Sequence, residues 1–545
     1  MASRRVFDRL QLGPIVGHTD DTSARIWIEV FDDPADYKLR VDGAGLFDFS
    51  STEPPGPLEF RTAIAVAEGL RPDWRYRYSV LRRGRVVRQT HGTFRTMPPP
   101  GSMANVLFCA ISCNKAGVDG LWGPFGDFVE RAQPHFVLMM GDQVYIDEDE
   151  PDIFRDHLKS KRAVRREALA AKYRTNWSRD IVRRVMSNVP VYMMWDDHDI
   201  RDGWGSLASD SPALLLRYPR GKEIYRKCNA YFEDARDVYW QFQGCHNPLP
   251  VPNQLVPNYV AAPPPPEQRG AMPFAFRCGR LVVLVLDSRG DRDIFRDELP
   301  VLGARQWAFV QEVFAGLPED VEALAVVTPT PIASMDPHGQ SQKLLGDRTD
   351  DVVAFARGDE DGVLKPNSSG QKKDIPLTIA NAHLSRLYGA QFNLGTFKVS
   401  NIDEARDQWS HKFARPEQAE LLRQAGEARE TNLHPGAARR LIFLSGDIHV
   451  GCIYDISSSH PSFEAVSLTA SGISAREDES LAVGVFLDET VRVGEGVIST
   501  LREVVLEHNF GVVQVVPTGT GAEITPILAH QGNANSFGAD LSDLV

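Results

Sequence analysis

Val137-Leu138-Met139-Met140-Gly141-Asp142-Gln143-Val144-Tyr145 is the stretch around which this chain is organised. Its run of bulky apolar residues reads as a buried strand. The run breaks at a glycine and then presents an aspartate, with a tyrosine three residues later. A carboxylate at the end of a buried strand is costly unless something pairs with it. A metal ion is the usual solution at such a strand end. Taken alone, the stretch is equally a strand-ending turn, with Asp142 capping a helix and Tyr145 packing.

Repetition tips the balance toward metal. One apolar run ends in Ser112-Cys113-Asn114, another in Trp195-Asp196-Asp197-His198-Asp199, and a last one in Ser445-Gly446-Asp447-Ile448-His449. Each strand is followed at once by residue types that ligate metals. Around these ends lie further apolar runs near Leu281–Leu286 and Leu324–Val327, separated by helical patterns. In Gly303 to Phe314, Trp307, Val310, Val313 and Phe314 recur at helical spacing. A second helix follows Pro416, which suits a first helical turn, and carries Ala419, Leu421, Leu422 and Ala425. Buried strands alternating with helices predict an α/β layered domain, in which ligands gather at strand ends.

The chain before this domain has a different texture. Ser23 to Val30 and Trp74 to Leu81 alternate in the strand period, which means one buried face, as in a sandwich. Met97-Pro98-Pro99-Pro100-Gly101-Ser102 has linker composition. The expected division is therefore 1–97 as a β-sandwich, 98–103 as a linker and 104–545 as the α/β domain. Insertions fall near the proline-rich 247–268 and the polar, glycine-rich 336–376. The basic run from Lys159 to Arg166 is expected to be a solvated helix face.

A length of 545 residues implies more than one core, and a net charge of −13 argues against general nucleic-acid binding. No apolar run approaches the ~20 residues of a membrane span. The N-terminus has two arginines but no apolar run after them. Six cysteines in so long a chain do not make a disulfide framework. A cytoplasmic location with reduced thiols is expected. Cys109, Cys228, Cys245, Cys278 and Cys452 lack partners at ligand spacing and read as structural.

Gly-Asp-x-x-Tyr, then Asp-Asp-His-Asp after a strand, then Gly-Asp-x-His resemble the PhoD-like alkaline phosphatases and phosphodiesterases of the metallophosphoesterase superfamily, to which the purple acid phosphatases also belong. Asp287-Ser288-Arg289 and Leu302 to Trp307 look like landmarks of the same family. The stretch from Leu70 to Tyr78, with Gly92 to Thr96, resembles the end of a fibronectin-type-III-like module. The resemblance implies such a sandwich followed by a four-layer α/β/β/α domain, and hydrolysis of phosphate mono- or diesters at a dinuclear centre by a metal-bound hydroxide. It implies that Asp142 bridges two ions. Cys113, Tyr145 and His449 would complete the first site, and Asp197 and Asp447 would bind the second ion. His198 would act on the leaving oxygen. Arg289 would contact substrate, because a guanidinium matches phosphate geometry. Asp196 and Asp199 are expected to support or cap.

The anionic thiolate and phenolate suit ferric iron, Fe(3+), at the first site; the oxygen set suits Ca(2+), Mn(2+) or Mg(2+) at the second. The substrate would be a small-molecule, nucleotide or lipid phosphate ester. This chain departs from the wider superfamily in two places. Ser112-Cys113-Asn114 replaces the usual Asp-x-His, and Thr328-Pro329-Thr330-Pro331 stands where a histidine is expected. His338 and His383 lie nearby in sequence but at no strand end. Two rival readings follow: a binding protein on a degenerate phosphoesterase scaffold, or a metal-dependent carboxylic-ester hydrolase.

Overall fold

The computed structural model describes residues 9–52, 60–147, 151–204, 222–248, 271–292, 301–339, 373–376, 396–399, 408–475 and 487–531. Most of the expected insertions near 247–268 and 336–376, and His383, lie outside these residues.

The apolar runs form two sheets. One is ordered Val191–Met194, Phe136–Met140, Val106–Ile111, Asn509–Pro517, Ala522–His530. Its first three strands are parallel and its last two antiparallel. The other runs Phe274–Cys278, Leu281–Val285, Ala323–Val327, Arg440–Ser445, Ser462–Thr469, Gly451–Ser459, Val497–Val505, Thr490–Val493. Parallel strands covered on both faces need unbroken apolar sequence, and Val106–Ile111, Phe136–Met140 and Leu281–Val285 are buried at every position.

The alternate side chains of these strands feed different cores. Phe108, Leu138 and Met140 of the first sheet meet Val283, Ala325 and Ile442 of the second. On the first sheet's other face, Cys109, Val137 and Met139 pack with residues of helices Trp122–Ala132, Arg162–Trp177 and Lys222–Phe242. On the second sheet's far face, Val282, Leu284 and Val326 pack with helices Gly303–Ala315 and Arg415–Ala428. The result is helix, sheet, sheet, helix. Trp307 is only partly buried, and its indole N–H donates to Glu417 Oε1 at 2.7 Å, tying those two helices together.

The basic run corrects its expectation. Arg165 is buried, and its Nε donates to Asp234 Oδ2 at 2.6 Å. Arg162 and Arg166 pair with Asp237. Lys159, Lys161 and Arg162 are exposed as expected, but Arg165 and Arg166 turn toward the partner helix, whose acids stand one turn apart, and form an ion-pair seam with it.

The N-terminal strands enclose their own core. Leu12–Thr19, Ala24–Glu29 and Thr62–Ala67 lie on one side, with Tyr37–Val41, Arg75–Arg82 and Gly92–Arg95 on the other. Gly45–Ser51 pairs with both halves, and Val16, Ile26, Leu39, Val80 and Phe94 share one cluster.

Opposite that cluster, Trp27, Leu12, Ile15 and Phe60 join the core of the first sheet's helical layer. The Trp27 indole N–H donates to the Gln241 carbonyl at 3.0 Å, and Thr52 and Thr62 hydroxyls donate to Gln241 Oε1 at 2.7 and 2.5 Å. The fully buried Glu29 accepts from Arg174 at 2.7 Å. His246 packs against Trp27 with ring centroids 5.0 Å apart, and neither of its ring nitrogens has a hydrogen-bond partner. His18 Nδ1 lies 3.2 Å from the Tyr192 hydroxyl, which donates to the Thr19 carbonyl at 3.0 Å. Tyr192 belongs to the strand that leads to Asp196.

Candidate metal centre

The backbone turns abruptly at three of the four strand ends. Cys113, Asp142, Asp447 and His449 all have positive φ, at 58°, 52°, 71° and 55°. That conformation is strained for residues with a Cβ and persists only where the surroundings enforce it. Gly141 (φ 94°) lets two loops touch, since a Cβ there would sit 2.5 Å from Asp196 Cβ.

Ligand atoms of Cys113, Asp142 and His449 lie within 4.8 Å of one another, as do those of Asp142, Asp196 and Asp197. A third such group comprises Asp197, His198 and Asp202. Cys113 Sγ is 3.6 Å from Asp142 Oδ2 and 3.6 Å from the Asp447 carbonyl oxygen. The Tyr145 hydroxyl is 2.8 Å from His449 Nε2, and the Tyr145 ring is 4.4 Å from that of His198. Asp142 is common to two groups, the position a bridging carboxylate needs.

The chemistry of this donor set fits cations. Asp142 Oδ1, Asp196 Oδ2 and Asp197 Oδ1 are buried without a hydrogen-bond partner. Burial, reinforced by Cys113 and Asp197, pushes the Asp142 carboxyl well above its usual range. Burial also raises the Cys113 thiol. Burial raises Asp196 well above a normal carboxyl despite the opposing pull of Arg289. Such a cluster ionises together only when positive charge enters it.

Asp447 is placed differently from its expected company. Its carboxylate accepts from Gln408 Nε2 at 3.0 Å, and it belongs to none of the three groups, whereas Asp196, expected only to support, belongs to one. Arg289 is fully buried, with its guanidinium against the Asp196 carboxylate. It donates to the Trp204 carbonyl at 2.7 Å and stands 3.6 Å from Asp197 Oδ1. This geometry makes it a holder of carboxylates, not a group at the mouth. Asp199 meets its supporting role: Oδ2 accepts from Asp196 N and Gln143 N, and Oδ1 from Gln243 Nε2 at 2.9 Å.

Asp147 and Asp202 were not singled out by the sequence. Asp147 Oδ1 accepts from His198 Nδ1 at 2.9 Å, and its Oδ2 accepts from Asp202 N at 2.5 Å. Burial disfavours the His198 cation, but the Asp147 and Asp197 carboxylates outweigh it and hold the imidazolium well above the ordinary histidine range. Burial pushes Asp202 up to about 7. The available signal was position: Asp147 stands five residues past Asp142 in the same strand-end loop.

Packed mixed sheets with acidic, thiol and imidazole ligands at adjoining strand ends define a metal-dependent phosphoesterase by class. The chain belongs to the PhoD-like phosphatase family, whose model matches residues 108–516. A second model, a domain of unknown function (DUF7800), matches residues 7–99. The fold is similar to a solved structure titled "Structure of PhoD", with 13% identity, a TM-score of 0.57, and 96% of this chain and 90% of that chain covered. A purple acid phosphatase, PPD1, from yellow lupin (Lupinus luteus) seeds aligns at 10% identity and a TM-score of 0.46, over 96% of this chain and 72% of that one. No curated protein matches the chain. Among the described residues no helix is long and apolar enough to cross a membrane.

Proposed function

We propose that the chain hydrolyses phosphate mono- or diesters at a dinuclear metal centre. The observation that carries this reading is the buried Asp142, shared by two ligand groups and left with an unpartnered oxygen. Cys113, Tyr145 and His449 would hold one ion with Asp142. Asp197, with Asp447 and the free oxygen of Asp196, would hold the other. Bound there, two ions would polarise the ester and make water nucleophilic near neutral pH. Thiolate, phenolate and carboxylate place three negative charges around the first ion, which favours ferric iron. The oxygen donors of the second favour calcium, manganese or magnesium.

The chain's own residues supply the rest. His198 holds a proton for the leaving oxygen. Asp147, bound to Nδ1, orients the ring so that Nε2 carries the transfer. Arg289 keeps Asp196 and Asp197 in place. Residues 1–97, read as a fibronectin-III-like sandwich joined by 98–103 to the catalytic domain 104–545, supply no reacting group in this scheme.

The test is a panel of phosphate monoesters, phosphate diesters and carboxylic esters assayed with elemental analysis of the same protein. Turnover of phosphate esters in proportion to bound metal is expected. Turnover of carboxylic esters alone would select the esterase reading. Protein that binds no metal and turns over nothing would select the degenerate scaffold.

A further inference from the structure

Turned inward against Asp196, Arg289 does not read the charge of the substrate. A phosphate monoester carries roughly two negative charges near neutral pH, its second pKa being ~6, whereas a diester carries one. We propose that Lys115 contacts the phosphoryl oxygens and makes dianionic monoesters the preferred substrates; this rests on the phosphoesterase reading above.

Lys115 follows the Cys113-Asn114 strand end, and its starting point is fixed. Asn114 N donates to the Asp142 carbonyl at 2.8 Å. The Lys115 carbonyl accepts from Ser474 Oγ at 3.1 Å and from an Arg179 guanidinium N–H at 3.3 Å. From there the side chain reaches over the site, placing Nζ 5.6 Å from the centroid of the Tyr145 ring. The same ring lies 4.4 Å from the His198 ring, and its hydroxyl is 2.8 Å from His449. One aromatic ring thus carries the ammonium of Lys115, the imidazole of His198 and a ligand contact.

Lys115 is half-buried, whereas Arg289 is fully buried. Arg201 is buried and stacked over Phe154 at 4.5 Å. A compact ammonium on a flexible stem can follow a phosphoryl oxygen through the reaction, which a guanidinium clamped by carboxylates cannot. A bland alternative is that Lys115 only steadies the Tyr145 ring. In that case its loss would alter the metal centre and affect both ester classes alike.

The experiment compares full-length, metal-loaded wild type with Lys115→Met and Lys115→Arg. It measures KM and kcat for a monoester and a diester of one leaving group, inorganic phosphate affinity by calorimetry, and metal content. Loss of a charge-assisted contact predicts that Lys115→Met raises the monoester KM and weakens phosphate binding by about 10-fold. The diester KM rises by a clearly smaller factor, the metal content stays close to wild type, and Lys115→Arg recovers most of the monoester KM. Equal losses on both esters, unchanged phosphate affinity, or lost metal would overturn the assignment. Wild type that hydrolyses neither ester but binds phosphate through Lys115 would sink the phosphoesterase reading and leave the anion contact standing.

Discussion

Acid should weaken the joint between the N-terminal strands and the α/β domain, and His246 is the place to test it. Burial, aided by the neighbouring Arg25 charge, lowers His246 from 6.5 to about 3. His18 is lowered to about 3, chiefly by burial and then by Arg25, with Asp20 opposing. Each is neutral in the folded protein and gains a proton on unfolding below pH 6.5. A depressed folded pKa means the stability is intact above the unfolded value and is lost progressively as pH falls toward the folded one.

At pH 5 the unfolded His246 is about 1.5 pH units below its own pKa, while the folded residue is still neutral. At ~1.36 kcal/mol per unit, this one side chain costs about 2 kcal/mol between pH 8 and pH 5. His246→Phe keeps an aromatic ring against Trp27 and leaves no donor unpaired, since neither imidazole nitrogen has a partner. Guanidinium unfolding of wild type and His246→Phe at both pH values is the assay. The variant should lose about 2 kcal/mol less than wild type over that interval. Acid loss of metal affects both proteins and cancels in the comparison. Equal pH dependence in the two would refute the neutral, buried state assigned to His246.

His198→Ala should fold and keep its metals while losing turnover by roughly 10²–10⁴; activity within a few fold of wild type, with metal content unchanged, removes His198 from the mechanism. If the first ion is ferric, metal-replete protein should show a broad visible band that Tyr145→Phe abolishes. Active, iron-supplemented protein with no band and no iron by elemental analysis would reject the iron assignment. Trp27→Ala should destabilise the protein by about 3–5 kcal/mol, read as a lower denaturation midpoint, because its indole fills the shared core and binds the Gln241 carbonyl.

The strand runs were legible because strands buried on both faces must be apolar throughout, as Phe136–Met140 and Leu281–Val285 are. The candidate ligand residues were legible because they follow those runs at once. Asp147 was not, since one aspartate in a polar loop has no period, and only the fold brings it to His198, 51 residues away. Arg289 stood out as a phosphate-matching group, but sequence carries no sign of burial, and Asp196, 93 residues away, takes its guanidinium. The seam through Arg165 was missed because its partner Asp234 lies on another helix. The joint was illegible for the same reason: Trp27 and Gln241 meet across 214 residues.

The place of Asn509–Pro517 has a consequence in time. This strand lies against Val106–Ile111, with Gly511 opposite Ala110, and is inserted between that strand and Ala522–His530. A ribosome adding ~5–20 residues per second completes Val106–Ile111 roughly 20–80 seconds before Asn509 emerges. During that interval the parallel strands that carry Cys113, Asp142 and Asp197 have an open edge, a template for unwanted pairing. His449 also arrives late, after most of the chain is made. The candidate ligand set is therefore complete only once His449 has been made, and it then stands on a sheet whose neighbouring strand, Asn509–Pro517, is still to come.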